Sequence, residues 1–160
     1  MYGGDVPGVP VEVALVVEFL NTVDIDEDVD LLSNDVEYRQ WAGERGLRAT
    51  RRVVARELRD AIRDLLAGAA AQLPHVEITV GIDPAGVPRI EGDDVATRVL
   101  SALLALVERG EWARVKLCPN PVCLEAFFDR SKNRSRTWCD MAGCGSAAKA
   151  RAYRQRRRPR

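Results

Sequence analysis

The four cysteines of this 160-residue chain lie between positions 118 and 144 and form two pairs of equal spacing. The pairs are Cys118 with Cys123 and Cys139 with Cys144, which gives the pattern C-x4-C-x15-C-x4-C. Thiolates at this spacing can converge on one tetrahedral zinc ion, with each sulfur about 2.3 Å from the metal. Because four cysteine ligands leave no open coordination position, the pattern predicts a structural zinc ion.

Two other arrangements of these cysteines are disulfides and four unliganded thiols. The first 117 residues contain no cysteine, and this clustering favours a metal. Asp129 and Asp140 are the other potential ligands in the segment. The segment has no histidine, and a zinc-dependent nuclease would need a general base and a metal-bound water. We therefore expect that the protein is not an enzyme.

Each cysteine pair must be held by a tight turn. Two prolines and an asparagine stiffen the turn between Cys118 and Cys123. Residues 126–129 and 137–138 predict two short strands around a loop, and residues 147–158 predict a helix because they contain strong helix formers and no breaker. Each turn that holds a cysteine pair is called a knuckle. The order of first knuckle, hairpin, second knuckle and helix is typical of a treble-clef or ribbon-like zinc finger.

The charge of the chain is unevenly divided, although its formal net charge is zero. Residues 1–110 contain 11 basic and 20 acidic side chains, whereas residues 111–160 contain 13 basic and 4 acidic ones. A basic helix on a zinc module predicts a polyanionic partner and fits the DNA major groove. A solvated basic tail is the alternative. The candidate nucleic-acid-binding residues are Arg130, Lys132, Asn133, Arg134, Arg136, Lys149, Arg151, Tyr153, Arg154, Arg156, Arg157 and Arg158.

The fold class predicted for the chain is α+β. Residues 1–112 predict an acidic, mainly helical domain with one β-hairpin, and residues 113–160 predict the zinc finger and its basic tail. Apolar residues at spacings of three and four predict long helices over residues 11–23, 51–72 and 94–109. Residues 11–23 are rich in β-branched side chains, so a strand is the alternative there.

A shorter helix and the hairpin complete the first domain. Asn34 precedes Glu37 by three residues, which is the spacing of a capping box at a helix start. Trp41 in this helix is expected to pack into the core. The alternation of apolar and polar residues over 76–90, interrupted by a Pro-Ala-Gly turn, predicts the β-hairpin.

Three side-chain roles are predicted for the long helices. Thr50 is expected to cap the helix over residues 51–72. Arg56, Arg59 and Arg63 alternate with acidic residues and are expected to form a solvated salt-bridge face. Val107 is expected to point into the core.

Asn21 and Thr22 are polar residues at the end of an apolar helix. Capping and turn formation are their simplest roles, and contact with a ligand or with the finger is the alternative. The longest uncharged stretch, residues 65–76, is shorter than the roughly 20 residues that span a membrane. The start of the chain also lacks the basic segment of a signal peptide. These features predict a cytoplasmic protein that does not bind membranes.

The finger segment resembles the CGNR-type zinc finger. The similar stretches are residues 117–119 with Cys123, residues 127–136, residues 138–141, Cys144-Gly145 and residues 148–151. The Glu-Phe-Leu-Asn-Thr stretch over residues 18–22 resembles the acidic-Phe-x-Asn-Thr motif of the ABATE domain, with Glu where Asp is usual. Residues 41–47 and 58–66 also resemble helical segments of that domain.

The resemblance implies a bacterial family that joins an N-terminal ABATE domain to a zinc finger and is associated with stress-induced transcriptional regulation. This sequence departs from the family at one point. Ser146 and Ala147 follow Cys144-Gly145, where the family motif has Asn and Arg. Any contact that this Arg makes in relatives is therefore absent here, although Ser146 can cap the next helix.

We therefore predict a zinc-finger DNA-binding protein, a transcriptional regulator whose N-terminal domain has a sensory or interaction role. The alternatives are an RNA-binding zinc ribbon and a protein-interaction module. In the second alternative the basic finger docks on an acidic protein surface. This surface belongs either to a partner protein or to its own N-terminal domain. A homodimer and a small-molecule effector of the N-terminal domain are further candidate partners.

Overall fold

The computed structural model describes residues 10–157 and has an α+β fold, as the sequence predicts. Three two-stranded antiparallel sheets accompany five α-helices. The helices are α1 (Val11–Leu20), α2 (Asp35–Gly43), α3 (Arg52–Leu66), α4 (Val95–Glu108) and α5 (Ser146–Arg157). The strands are β1 (Val23–Asp24), β2 (Val29–Asp30), β3 (Thr79–Ile82), β4 (Pro88–Glu91), β5 (Val115–Leu117) and β6 (Ala126–Phe128). No helix within residues 10–157 is both long enough and apolar enough to cross a membrane.

One hydrophobic core joins the N-terminal region (residues 10–112) to the finger (residues 113–157). Helices α1, α3 and α4 pack against one another and bury residues such as Phe19, Leu58 and Leu106. Val115 of β5 and Ala126 of β6 are buried in the same core. The β5–β6 hairpin is therefore fixed on the helices. The first cysteine, Cys118, follows the last residue of β5 directly.

Local capping signals account for two helix starts. Asn34 accepts hydrogen bonds from the N–H groups of Val36 and Glu37, so the predicted cap at Asn34 is confirmed. The reciprocal bond of a capping box differs, because the carboxylate of Glu37 accepts from the side-chain amide of Asn34 and not from its backbone N–H. Trp41 of this helix is buried, also as predicted. Asp94 caps α4 by accepting a hydrogen bond from the N–H of Thr97 at 3.1 Å.

Three features of the long helices differ from the prediction. Helix α1 ends at Leu20, where the hydroxyl of Thr22 donates to the carbonyl of Phe19 at 2.7 Å. Helix α3 ends at Leu66 and not near residue 72, and the chain reverses at Gly68 with a φ of +81°. Val107 is exposed because it lies on the solvent side of α4.

Thr50 does not cap α3 as predicted. The side chain of Arg51, which precedes the helix, makes no cap hydrogen bond either. The hydroxyl of Thr50 faces the start of α4 and donates to the carboxylate of Asp94 at 3.4 Å. The two helix starts therefore share Asp94 as an acceptor.

The arginines of α3 do not form the solvated face that the sequence predicts. Arg59 is 2% exposed and makes a bidentate ion pair with Asp30 of β2. Arg63 is half-buried and donates to the carbonyls of Leu20 and Leu124. Of the three arginines in this prediction, Arg56 alone has an exposed side chain. The prediction fails because the partners of Arg59 and Arg63 come from distant parts of the chain.

The hairpin of the finger also differs from the prediction. Strand β6 pairs with β5 through the contacts Val115 to Phe128 and Leu117 to Ala126. Residues 137–138 form no strand. The hairpin therefore lies before the loop over residues 130–136, and this loop is shaped by side chains, not by strand pairing.

Candidate metal centre and basic surface

The four cysteines converge on one point. Their sulfur atoms all lie within 4.8 Å of one another, and the sulfurs of Cys123 and Cys139 are 3.6 Å apart. Sulfurs bound tetrahedrally at about 2.3 Å from zinc are about 3.8 Å from one another. All four thiols are free of disulfide bonds. The donor set and its spacing therefore fit one zinc ion, as the sequence predicts.

The first cysteine pair is held by a turn that leaves the end of β5. The carbonyl of Asn120 accepts hydrogen bonds from the N–H groups of Cys123 and Leu124, at 2.9 and 3.0 Å. The side-chain amide of Asn120 donates to the sulfur of Cys144 at 3.3 Å. The buried residue Asn120 thus stabilises the turn of the first cysteine pair through its backbone and contacts Cys144 of the second pair through its side chain.

The second pair is held by a π-helical turn over Met141–Gly145. Asp140 caps this turn by accepting a hydrogen bond from the N–H of Gly143. Helix α5 starts directly after the turn, two residues beyond Cys144. The start of α5 is therefore joined directly to the second cysteine pair.

Burial and hydrogen bonds shift the pKa values of Cys118, Cys123 and Cys139 differently. Burial raises the pKa of the Cys123 thiol to about 11 and also raises the pKa of the Cys139 thiol. Burial acts in the same direction on Cys118, but hydrogen bonds from the backbone of Cys139 and Asn120 lower its pKa overall. Because metals bind thiolates, a divalent ion must displace protons from this cluster.

Asp129 and Asp140 lie outside the cluster of four sulfurs. Asp129 is fully buried, and its carboxylate accepts hydrogen bonds from Lys116 at 2.6 Å and from the N–H and hydroxyl of Ser131. Burial opposes its ionisation, but these hydrogen bonds outweigh burial and hold the pKa of Asp129 well below its ordinary value. Asp129 therefore organises the loop over residues 130–136, and Asp140 caps the π-helical turn that holds Cys144.

Two basic residues that the sequence reasoning missed complete this arrangement. The ammonium of Lys116 also donates to the carbonyls of Arg134 and Arg136 at 2.7 and 2.9 Å. Arg114 donates to the carbonyls of Asp129 and Ser131, both at 2.9 Å. The pairing of β5 with β6 brings Lys116 and Arg114 to the loop, and no pattern in the sequence predicts that pairing.

The predicted basic loop, residues 130–136, does not present all its cations to solvent. The guanidinium of Arg136 turns inward, lies 4.9 Å from the ring centre of Phe127 and donates to the carbonyls of Trp138 and Cys139. Arg134 is exposed and donates to the carbonyl of Gly110 at 3.3 Å. Arg130, Lys132 and Asn133 are also exposed.

Helix α5 carries most of the exposed positive charge of the finger. It has no buried residue, and within residues 10–157 no carboxylate pairs with its cations. Tyr153 is 50% exposed, and the guanidinium of Arg157 lies 5.0 Å from the centre of its ring. The exposed side chains of this group are Lys149, Arg151, Tyr153, Arg154, Arg156 and Arg157. Arg158 lies outside the described residues.

Ser146 does not cap α5. It is the first residue of the helix, and its hydroxyl donates to the carbonyl of Met141 at 3.1 Å. The serine that replaces the family's asparagine therefore ties α5 to the π-helical turn.

Asn21 and Thr22 lie at the junction of the two parts of the chain. The amide of Asn21 donates to the carbonyl of Ala126 at 2.9 Å, and its carbonyl accepts from the N–H of Ala126 at 2.7 Å. Thr22 is buried behind it. The structure thus places Asn21 against the finger.

Comparison with known protein families gives two matches. Residues 14–117 match the ABATE family, described as "Putative stress-induced transcription regulator", and residues 114–157 match the CGNR zinc finger. Both matches and their order agree with the resemblance found in the sequence. None of the curated proteins compared with the chain matches it. Because the first match spans more than half of the chain, this protein belongs to the ABATE family, and it carries a CGNR zinc finger after the ABATE region.

Proposed function

We propose that this protein is a transcriptional regulator that binds duplex DNA through α5 and the exposed side chains of the basic loop. The proposal depends on one observation above all. A helix with several cations that form no ion pair within the described residues begins two residues after a metal-ligand cysteine. A metal bound there would hold the start of this cationic helix in a fixed position.

The charge of α5 is suited to phosphates. Lys149, Arg151, Arg154 and Arg156 have no carboxylate partner within the described part of the chain. Arg and Lys neutralise phosphates, and exposed tyrosine and asparagine side chains add neutral hydrogen bonds. Because no carboxylate of residues 10–157 pairs with these cations, phosphates would bind them without first breaking an ion pair to this part of the chain.

The isolation of α5 also supports a binding role. Helices of fewer than about 12–15 residues are marginal in water unless tertiary packing stabilises them. Helix α5 has 12 residues and buries none of them. A ligand that covers this helix would therefore stabilise it.

The shape of α5 favours duplex DNA over duplex RNA. An α-helix is about 10–12 Å wide, and the DNA major groove is about 12 Å wide. The major groove of A-form RNA is deep and narrow, and side chains cannot read it. We therefore place α5 in the DNA major groove, with the basic loop on the neighbouring backbone.

The test is the affinity of the zinc-loaded chain for fluorescent duplex DNA over a series of salt concentrations. If about six phosphates are neutralised, the logarithm of the affinity falls with the logarithm of salt concentration with a slope of roughly −5. The double variant Lys149→Gln, Arg151→Gln should reduce that slope by about 2, because each lost phosphate contact removes about 0.9.

The matched control is Arg39→Gln, Arg98→Gln, which removes two exposed charges of the N-terminal region. This variant should keep the wild-type slope. Equal slopes for both double variants would contradict the assignment of α5 as the DNA-binding element. Tighter binding to duplex or single-stranded RNA than to duplex DNA would contradict the choice of DNA.

A further inference from the structure

The segment that follows Cys123 is held by the N-terminal region. Leu124 has a positive φ of 51°, and the chain then enters β6 at Ala126. Asn21 binds both the N–H and the carbonyl of Ala126. One side-chain amide thus takes the place of a neighbouring strand at the free edge of β6.

Arg63 holds the same segment from a second side. Its guanidinium donates to the carbonyl of Leu124 and to the carbonyl of Leu20, both at 2.9 Å. Leu20 is the last residue of α1, so Arg63 satisfies a carbonyl at the negative end of that helix. The end of α1 and the first knuckle are therefore joined through one side chain.

The charge of Arg63 is not matched by a carboxylate of its own. Within the described residues Arg63 forms no ion pair, and the nearby carboxylate of Asp60 is bonded to Arg59 at 2.8 Å. Burial and the positive charge of neighbouring Arg59 lower the pKa of Arg63, and the negative charge of Asp60 opposes this only in part. Within the described residues, the hydrogen bonds of Arg63 therefore go to the backbone at the junction and not to a carboxylate.

The metal centre itself would carry a net negative charge with zinc bound. Four thiolates around one divalent zinc ion give a net charge of −2. Positive charge near a ligand sulfur stabilises its thiolate. The guanidinium of Arg63 lies 2.9 Å from the carbonyl of Leu124, so it places a positive charge beside the residue that follows Cys123 and holds that residue in position.

We propose that Arg63 and Asn21 are positioning residues of the metal centre and that zinc binding is thereby coupled to docking of the finger on the N-terminal region. Arg63 balances the charge of the centre, and both residues fix the backbone that leads away from Cys123. Because coupling is reciprocal, zinc strengthens this docking by the same factor by which docking strengthens zinc binding. A change in the N-terminal region that moves Asn21 or Arg63 would alter the finger through the metal.

The test measures the zinc affinity of the full chain by competition with a chelator. Arg63→Gln removes the charge, and we expect zinc binding to weaken about 10- to 100-fold, as for other groups that support metal ligands. Arg63→Lys keeps the charge and should recover most of the affinity. Arg39→Gln, an exposed arginine of α2, is the matched control and should bind zinc like the wild type.

Two further measurements distinguish a local effect on the metal centre from misfolding of the Arg63 variants. Asn21→Ala leaves the arginines of α3 in place and should weaken zinc binding about tenfold. The sulfur-to-metal absorption of the cobalt(II)-loaded protein should shift in Arg63→Gln and not in Arg39→Gln. Wild-type zinc affinity in both Arg63→Gln and Asn21→Ala would overturn the proposal, and so would equal losses in Arg63→Gln and Arg63→Lys. These measurements use no nucleic acid, so their outcome is independent of DNA binding.

Discussion

Asp129 is the residue that shapes the basic loop. Its buried carboxylate accepts from Lys116, from Ser131 and from the N–H of Arg136 at 2.9 Å. The sequence indicated Asp129 only as an unusual metal ligand, because its main partner lies 13 residues earlier on a strand too short to predict. The cysteine ligands, by contrast, were predicted because their spacing alone determines their chemistry.

Replacing the Asp129 carboxylate should destabilise the zinc-loaded protein. Asp129→Asn removes the negative charge that Lys116 contacts, and we expect a loss of about 2 kcal/mol in the free energy of unfolding, since hydrogen bonds to charged groups contribute about 1.5–3 kcal/mol. Urea unfolding measures this loss. Asp26→Asn, in the exposed loop between β1 and β2, is the control and should change stability little. Similar unfolding midpoints for the two variants would contradict the role of Asp129.

At the scale of elements, the sequence predicts what is decided locally. The start of α2 was predicted because Asn34 caps N–H groups two and three residues away. The burial of Arg59 was missed because its partner, Asp30, is 29 residues away and is brought to α3 only by the fold. The pairing of β5 with β6 was missed for the same reason, since three residues carry too little alternation to indicate a strand.

The role of α5 gives a prediction about helix propensity. Ala150→Gly should lower the stability of this exposed helix by about 1 kcal/mol and weaken duplex DNA binding about fivefold, because DNA must then order a poorer helix. Zinc affinity should not change, since Ala150 lies outside the metal site.

The control for this prediction is Ala85→Gly, the same substitution in the exposed turn between β3 and β4. It should leave both affinities at the wild-type level. Titration of fluorescent duplex DNA measures the difference. Full DNA affinity in Ala150→Gly would show that α5 need not be helical when DNA is bound.

At the scale of the whole molecule, the acidic and basic halves are not independent bodies. Val115 and Ala126 of the finger share a core with α1, α3 and α4, and Asn21 and Arg63 add polar contacts across the junction. The sequence shows the division of charge but not this shared core, because the residues that join the halves are about 60 to 105 positions apart. The predicted boundary between residues 112 and 113 stays a prediction.

The central claim is that a zinc centre fixes a basic helix for binding to duplex DNA. The most direct measurement is the DNA affinity of the full chain when it is loaded with zinc, stripped by a chelator and reloaded. We predict that stripping weakens binding at least about tenfold, because metal binding at such sites is coupled to folding, and that reloading restores it. Unchanged DNA affinity after verified loss of zinc would contradict the claim.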